Sequence, residues 1–153
     1  MTGGARVMHP LPHTYVASAA GSASGNVAVA SPGLPGLVTA PPAEFGGTGD
    51  LWSPETLFCA AIADCYILTF RGLARAAGFE WHALRCRVEG VLDRADGALR
   101  FTAYTTYATL EVAPGRDAAK ARELLEKAEH RCLVANSLQG TRALVAEVVE
   151  SAA

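Results

Sequence analysis

The chain has 153 residues, 13 Lys and Arg against 15 Asp and Glu, a formal net charge of −2, and an apolar half. That length suits one domain with a real core, and the near-neutral balance gives no reason to expect a nucleic acid or a membrane as partner. The start from Met1 to Pro10 lacks the apolar core of a signal peptide, and the apolar part of the longest predicted helix is shorter than a membrane span and carries Asp64. A cytoplasmic protein is expected.

In chain order, residues 1–12 read as a flexible lead-in to a single domain covering 1–153. Tyr15–Ser18, Asn26–Ala30 and Gly36–Thr39 alternate small and β-branched residues and read as three short strands. Gly21–Gly25 and Ser31–Pro35 are the expected turns between them. A breaker-rich loop, Pro41–Asp50, then leads to the central helix. Ser53 suits its N-cap, Pro54 its first position and Glu55 the positive end of its dipole. It runs to Arg75 and stops at Gly78, about 23 residues and roughly 35 Å. Leu57 to Phe70 is apolar around nearly the whole circumference, the pattern of a buried helix.

Two strands follow, about Ala83–Leu92 and Leu99–Val112, joined by a turn at Asp93–Gly97. A second helix, about Ala118–Arg131, carries an apolar stripe of Leu124, Leu125 and Ala128. A short connector, Cys132–Leu138, and a last strand, about Arg142–Val149, complete the chain. The order β-β-β-α-β-β-α-β is that of an α+β domain. A helix apolar on all sides needs more cover than these sheets supply, and a dimer sharing it between protomers would provide that cover.

The four cysteines, Cys59, Cys65, Cys86 and Cys132, lack the spacing of a disulfide framework or a zinc site. Two have settings that suit chemistry: Cys65 in the middle of the apolar helix, and Cys132 just past the end of the second. A free thiol titrates near ~8.5, so only about 3% is thiolate at neutral pH, and a reactive one needs a positive neighbour. If one thiol is oxidised to sulfenic acid, a second in reach condenses with it to a disulfide. The alternative is that all four are core cysteines. Cys59, six positions before Cys65, reads as core, and Cys86 as a strand residue. His130 and Cys132 alone do not make a zinc site, and no metal is expected. His82 beside Trp81 reads as a loop residue.

The segment Ser53-Pro54-Glu55-Thr56-Leu57-Phe58-Cys59-Ala60-Ala61-Ile62-Ala63-Asp64-Cys65 resembles the Asn/Ser-Pro-Glu…Cys signature of the OsmC/Ohr family of organic hydroperoxide reductases. His130-Arg131-Cys132-Leu133-Val134-Ala135-Asn136-Ser137-Leu138 resembles that family's second cysteine segment. The likeness covers roughly Tyr15 to Val149. It implies an OsmC-like fold and an intertwined homodimer with active sites at the subunit interface. It also implies that Cys65 is the peroxidatic thiol, Cys132 the resolving one, and Glu55 the catalytic glutamate that holds an arginine against the thiolate. An organic hydroperoxide would be reduced to its alcohol, and an external dithiol, lipoyl-linked in the better-known members, would reduce the Cys65–Cys132 disulfide, with no cofactor.

The sequence departs from that pattern in three places. No Arg or Lys lies between Val7 and Phe70, where the family's activating arginine belongs, so His9, His13, Arg71 or Arg75 would have to stand in. Asp64 precedes Cys65 where a small residue is usual. Leu133 and Ala135 replace a proline and a serine. Glu55 lies ~15 Å along a straight helix from Cys65, so it can act only through a bridging cation, a helix break or the opposite protomer. The plain alternative for Glu55 is a first-turn acid that favours the dipole. Two other functions remain open: a degenerate relative that binds an apolar small molecule without turnover, and a thiol redox sensor.

Overall fold

The computed structural model describes residues 8–152, so the lead-in before Met8 lies outside the described residues. The chain forms two compact units, one up to Pro54 and one from Glu55 on.

In the first unit β1 (Ser18–Ala20), β2 (Val27–Ala30) and β3 (Leu37–Thr39) make an antiparallel sheet in that order. β1 starts three residues later than the alternation predicts, because the pairing register runs from Ser18 opposite Ala30 to Ala20 opposite Ala28. A 3-10 turn at Ala43–Phe45 occupies the breaker-rich loop. Tyr15, Val16, Leu34, Val38, Phe45 and Trp52 are all exposed apolar side chains in this unit.

The second unit holds α1 (Pro54–Ala76, its first residue shared with the unit boundary), β4 (Ala83–Ala95), β5 (Ala98–Val112), α2 (Ala118–Arg131), α3 (Leu133–Asn136) and β6 (Thr141–Glu150). The sheet order is β4-β5-β6, antiparallel on one side of β5 and parallel on the other. Parallel neighbours cannot be joined by a tight turn, and α2 with α3 makes the crossover. The β4–β5 hairpin is tighter than predicted. Ala95 pairs with Ala98, leaving a two-residue loop of Asp96 and Gly97 at φ 50° and 79°. Both residues are left-handed, the conformation that matches the twist of paired strands and that Asp-Gly adopts readily.

The mixed α+β architecture and the order of the main elements are those read from the sequence, with α3 added. Burial of the central helix is narrower than its composition suggests. Ile62, Tyr66, Phe70 and Ala74, each four residues from the next, are its buried residues. Leu68 is 53% exposed, and Ala61 and Asp64 are exposed too. One sheet and one further helix can cover one stripe of a rod, not its whole girth. By length and composition α1 could cross a membrane. In this fold its stripe is packed into the main core, where Tyr66, Phe70 and Ala74 meet Leu84, Ala108, Leu110 and Val112 of the sheet and Ala121, Leu124, Leu125 and Ala128 of α2. The Tyr66 hydroxyl donates to the Leu125 carbonyl oxygen at 2.9 Å, tying α1 to α2.

Candidate thiol site

Cys65 projects from the middle of α1. Its neighbour one turn on, Thr69, donates through Oγ1 to the Cys65 carbonyl at 2.7 Å, and the same Oγ1 lies 3.9 Å from the Cys65 sulfur. Cys132 stands between α2 and α3, where its extended backbone (φ −64°, ψ 106°) ends one helix and starts the next. That break turns its side chain inward, and Cys132 is completely buried. Its thiol donates to the Ile62 carbonyl oxygen at 4.0 Å, and Cys65 packs against the cluster that holds it, close enough for the two thiols to interact. The fold thus brings together the two cysteines singled out in the sequence. All four cysteines are free thiols.

The two sulfurs differ in access. Cys65 is half-buried and borders an open groove of about 480 Å³, walled by Ala61, Asp64 and Leu68 of α1 and by Leu133 and Val134 beyond Cys132. Cys132 lies behind it, among Ile62, Tyr104 and Ala135, with Phe58, Phe101 and Leu138 packed around them. Phe58 and Phe101 stack with centroids 4.5 Å apart. Burial pushes the Cys132 thiol up to about 11. The adjoining Cys65 and the charge of Glu129 add to that rise, and the Ala135 backbone N–H opposes it.

Cys86 and Cys59 sit apart from the groove. Burial, aided by Glu129 and Cys132, pushes Cys86 up to about 12. Cys59 is also raised by burial, against a hydrogen bond from the Gly90 backbone. Cys86, on β4, packs against the main core, and Cys59 is half-buried beside Gly90.

Glu55 is half-buried in the first turn of α1, and among the described residues its Oε2 is buried without a hydrogen-bond partner. α1 is continuous, so no helix break carries Glu55 towards Cys65. Of the proposed stand-in cations, Arg71 and Arg75 are exposed, six and ten positions beyond Cys65, or ~9 and ~15 Å along the axis. His13 is exposed and bonded to the His9 carbonyl and the Tyr15 hydroxyl. Asp64 lies on the groove rim, exposed to water. No group of three or more His, Cys, Asp or Glu among the described residues could hold a metal ion.

Sequence reasoning missed a polar cluster behind Cys132. Arg142 of β6 donates through Nε to Glu129 Oε1 at 2.9 Å, through Nη1 to Asn136 Oδ1 at 2.7 Å, and through Nη2 to the Glu129 carbonyl. Asn136 in turn donates to the His130 carbonyl at 3.0 Å. An arginine in a strand that alternates carries no sign of such partners, because they come from elements folded over it.

A reachable thiol backed by a sheltered one, on an α+β frame of two three-stranded sheets, defines a dithiol protein with one sulfur open to solvent. Residues 47–145 match the family described as OsmC-like protein, and the chain belongs to that family. A Bacillus subtilis (strain 168) relative, "Uncharacterized protein YmaD", is 28% identical over 102 residues, 65% of this chain and 68% of that protein. The organic hydroperoxide resistance protein OsmC of Legionella pneumophila, also called a predicted redox protein, superposes with a TM-score of 0.72. It is 26% identical, over 91% of this chain and 98% of its own. An organic hydroperoxide resistance protein from Elizabethkingia anophelis shares the fold at a TM-score of 0.75, with 22% identity over 94% of this chain and 100% of its own.

Proposed function

We propose that this protein is a thiol-dependent peroxidase that reduces organic hydroperoxides to alcohols. The observation that carries this reading is the contact between the Cys65 and Cys132 thiols, with Cys65 alone bordering the groove. The Cys65 thiolate attacks the outer peroxide oxygen, the O–O bond breaks, and the alkoxide leaves as the alcohol after taking a proton. Cys65 is then a sulfenic acid. The Cys132 sulfur attacks it, hydroxide leaves as water, and the Cys65–Cys132 disulfide forms. A dithiol of lipoyl type returns both thiols to the reduced state and leaves as its own disulfide. The electrons come from thiols throughout, so the cycle calls for no cofactor. It suits a reducing, cytoplasmic setting, where free cysteines persist.

The apolar walls Leu68, Leu133 and Val134 favour a peroxide with a hydrocarbon tail. A homodimer belongs to the same reading. The uncovered faces of α1 and the exposed apolar residues of the first unit, Phe45 and Trp52 among them, are surface that a second copy would cover. Glu55 then serves by holding a cation brought by that copy. The test is hydroperoxide consumption with a dithiol by the wild type and by Cys65→Ser. Turnover should vanish in the variant, and turnover undiminished without the Cys65 thiol would end the proposal.

Two observations favour a second reading, a degenerate relative that binds an apolar molecule without turnover: among the described residues Glu55 Oε2 is buried without a hydrogen-bond partner, and no Arg or Lys lies between Val7 and Phe70 in the sequence. That reading expects slow alkylation of Cys65 at neutral pH and a rise in melting temperature with an apolar ligand. Fast alkylation rejects it.

A further inference from the structure

Resting on the peroxidase reading, we propose that Arg142 is a positioning residue for the second half-reaction. With Asn136 it clasps the α2–α3 corner so that the Cys132 sulfur stays against Cys65.

The geometry is specific. α2 ends at Arg131, and the carbonyls of its last turn have no partner within the helix. Arg142 takes the Glu129 carbonyl directly and, through Asn136, supports the bond to the His130 carbonyl. Asn136 closes the other side, its backbone N–H donating to the Cys132 carbonyl at 2.9 Å. Cys132 therefore stands between residues bound to one guanidinium. Arg142 is well placed for this task, since β6 pairs it with Tyr104, which packs in the cluster around Cys132. Its ion pair with Glu129 is largely sheltered, at 26% and 13% side-chain exposure. A planar fork presents its donors in fixed directions to a side-chain oxygen, a carbonyl and an amide oxygen at once, where a lysine offers a compact, freely rotating ammonium.

A second effect runs through charge. The titratable groups facing Cys132 are Cys65 of α1, Cys86 of β4 and Glu129 of α2, and Tyr66 of α1 and Tyr104 of β5 lie in the same neighbourhood. His130 and Arg131, next to it in the chain, are exposed to solvent. Glu129 is the anion among them, and Arg142 is its salt-bridge partner. Without Arg142 the carboxylate would oppose the Cys132 thiolate more strongly. The sulfenic acid at Cys65 would then wait longer for its partner and take up a second hydroperoxide, giving sulfinic acid and a second alcohol.

The experiment uses the full chain, reduced and mixed with cumene hydroperoxide, then quenched and analysed by mass spectrometry for sulfenic, disulfide and sulfinic forms. In Arg142→Ala, disulfide formation should slow roughly tenfold or more, as expected when a reacting group loses its placement, and sulfinic acid at Cys65 should accumulate. The pH midpoint of disulfide formation should move up in Arg142→Ala and down in Glu129→Gln. Arg142→Lys, keeping the charge but not the fork, should restore the midpoint and not the full rate. A folded Arg142→Ala with the wild-type disulfide rate and pH midpoint overturns the proposal. If Arg142→Ala does not fold, Arg142→Lys and Asn136→Ala decide it, and wild-type disulfide rates in both overturn it. Failure of the underlying reading looks different: hydroperoxide is consumed equally by Cys65→Ser, or the wild type forms no disulfide at all.

Discussion

Replacing Gly90 by alanine tests the packing around the two thiols without reference to their chemistry. Gly90 lies on β4 opposite Tyr104, and a Cβ built there would sit 2.9 Å from two carbons of the Phe101 ring and 3.0 Å from the Cys59 sulfur. Carbon atoms prefer about 3.5–4.0 Å, so the ring must withdraw by roughly half an ångström or more. It has little freedom to do so, because Phe101 is stacked on Phe58 at 4.5 Å and lies 6.1 Å from Tyr104. Overpacking of this kind costs about 1–3 kcal/mol. The loss of glycine's freedom in the unfolded chain returns about 0.4–1 kcal/mol. The net is a loss of about 1–2 kcal/mol, read as a lower urea midpoint at unchanged slope. In a Phe101→Leu background, where the ring is gone, the same change should cost at least about 1 kcal/mol less, as neighbours that share a contact are not additive. A Gly90→Ala protein as stable as wild type, or a cost that simply adds to that of Phe101→Leu, would refute the packing argument.

Other outcomes follow from single contacts. Asp117 caps α2 by accepting from the Lys120 N–H at 3.0 Å, and Asp117→Ala should cost about 1 kcal/mol in urea unfolding. Tyr66→Phe removes the hydroxyl bonded to the Leu125 carbonyl and should cost about 1 kcal/mol by the same measurement, with the fold intact by circular dichroism. With Cys132 pushed up to about 11, its thiolate is roughly one in a thousand at pH 8, so disulfide formation after peroxide should quicken about tenfold per pH unit from 7 to 10. A plateau below pH 9 in quenched-flow measurements would contradict the burial of Cys132. Stability should fall over the same alkaline range. The unfolded thiols release protons near about 8.5, while folded Cys132 and Cys86 keep theirs to about 11 and 12. The unfolded state then binds fewer protons, and the free energy of unfolding, followed by urea titration at each pH, declines as pH rises.

Local signals made most of the scaffold legible. Pro54 at the first helical position and Gly78 at φ 63° beyond the last bracket α1, and Asp96-Gly97 makes the hairpin. Alternation along β5 marked a strand with two different faces, and the structure shows that Tyr104, Thr106 and Ala108 are on the buried one. The pairing of Cys65 with Cys132 rested on the resemblance, since spacing alone says nothing of two residues on different helices. Three features escaped because they depend on distant partners. α1 looks buried all round by composition, but which stripe is covered depends on what packs against it. The four-residue α3 is too short for a periodic signal. Arg142 reads as an ordinary polar position in a strand until α2 and α3 fold over it.

The central claim is that peroxide drives these two sulfurs into one bond. Reduced protein treated with one equivalent of an alkyl hydroperoxide, alkylated and digested, should yield a single linked peptide pair joining Cys65 to Cys132, with Cys59 and Cys86 alkylated. Intact thiols at both positions after exposure, or a linkage through Cys59 or Cys86 instead, would contradict the account.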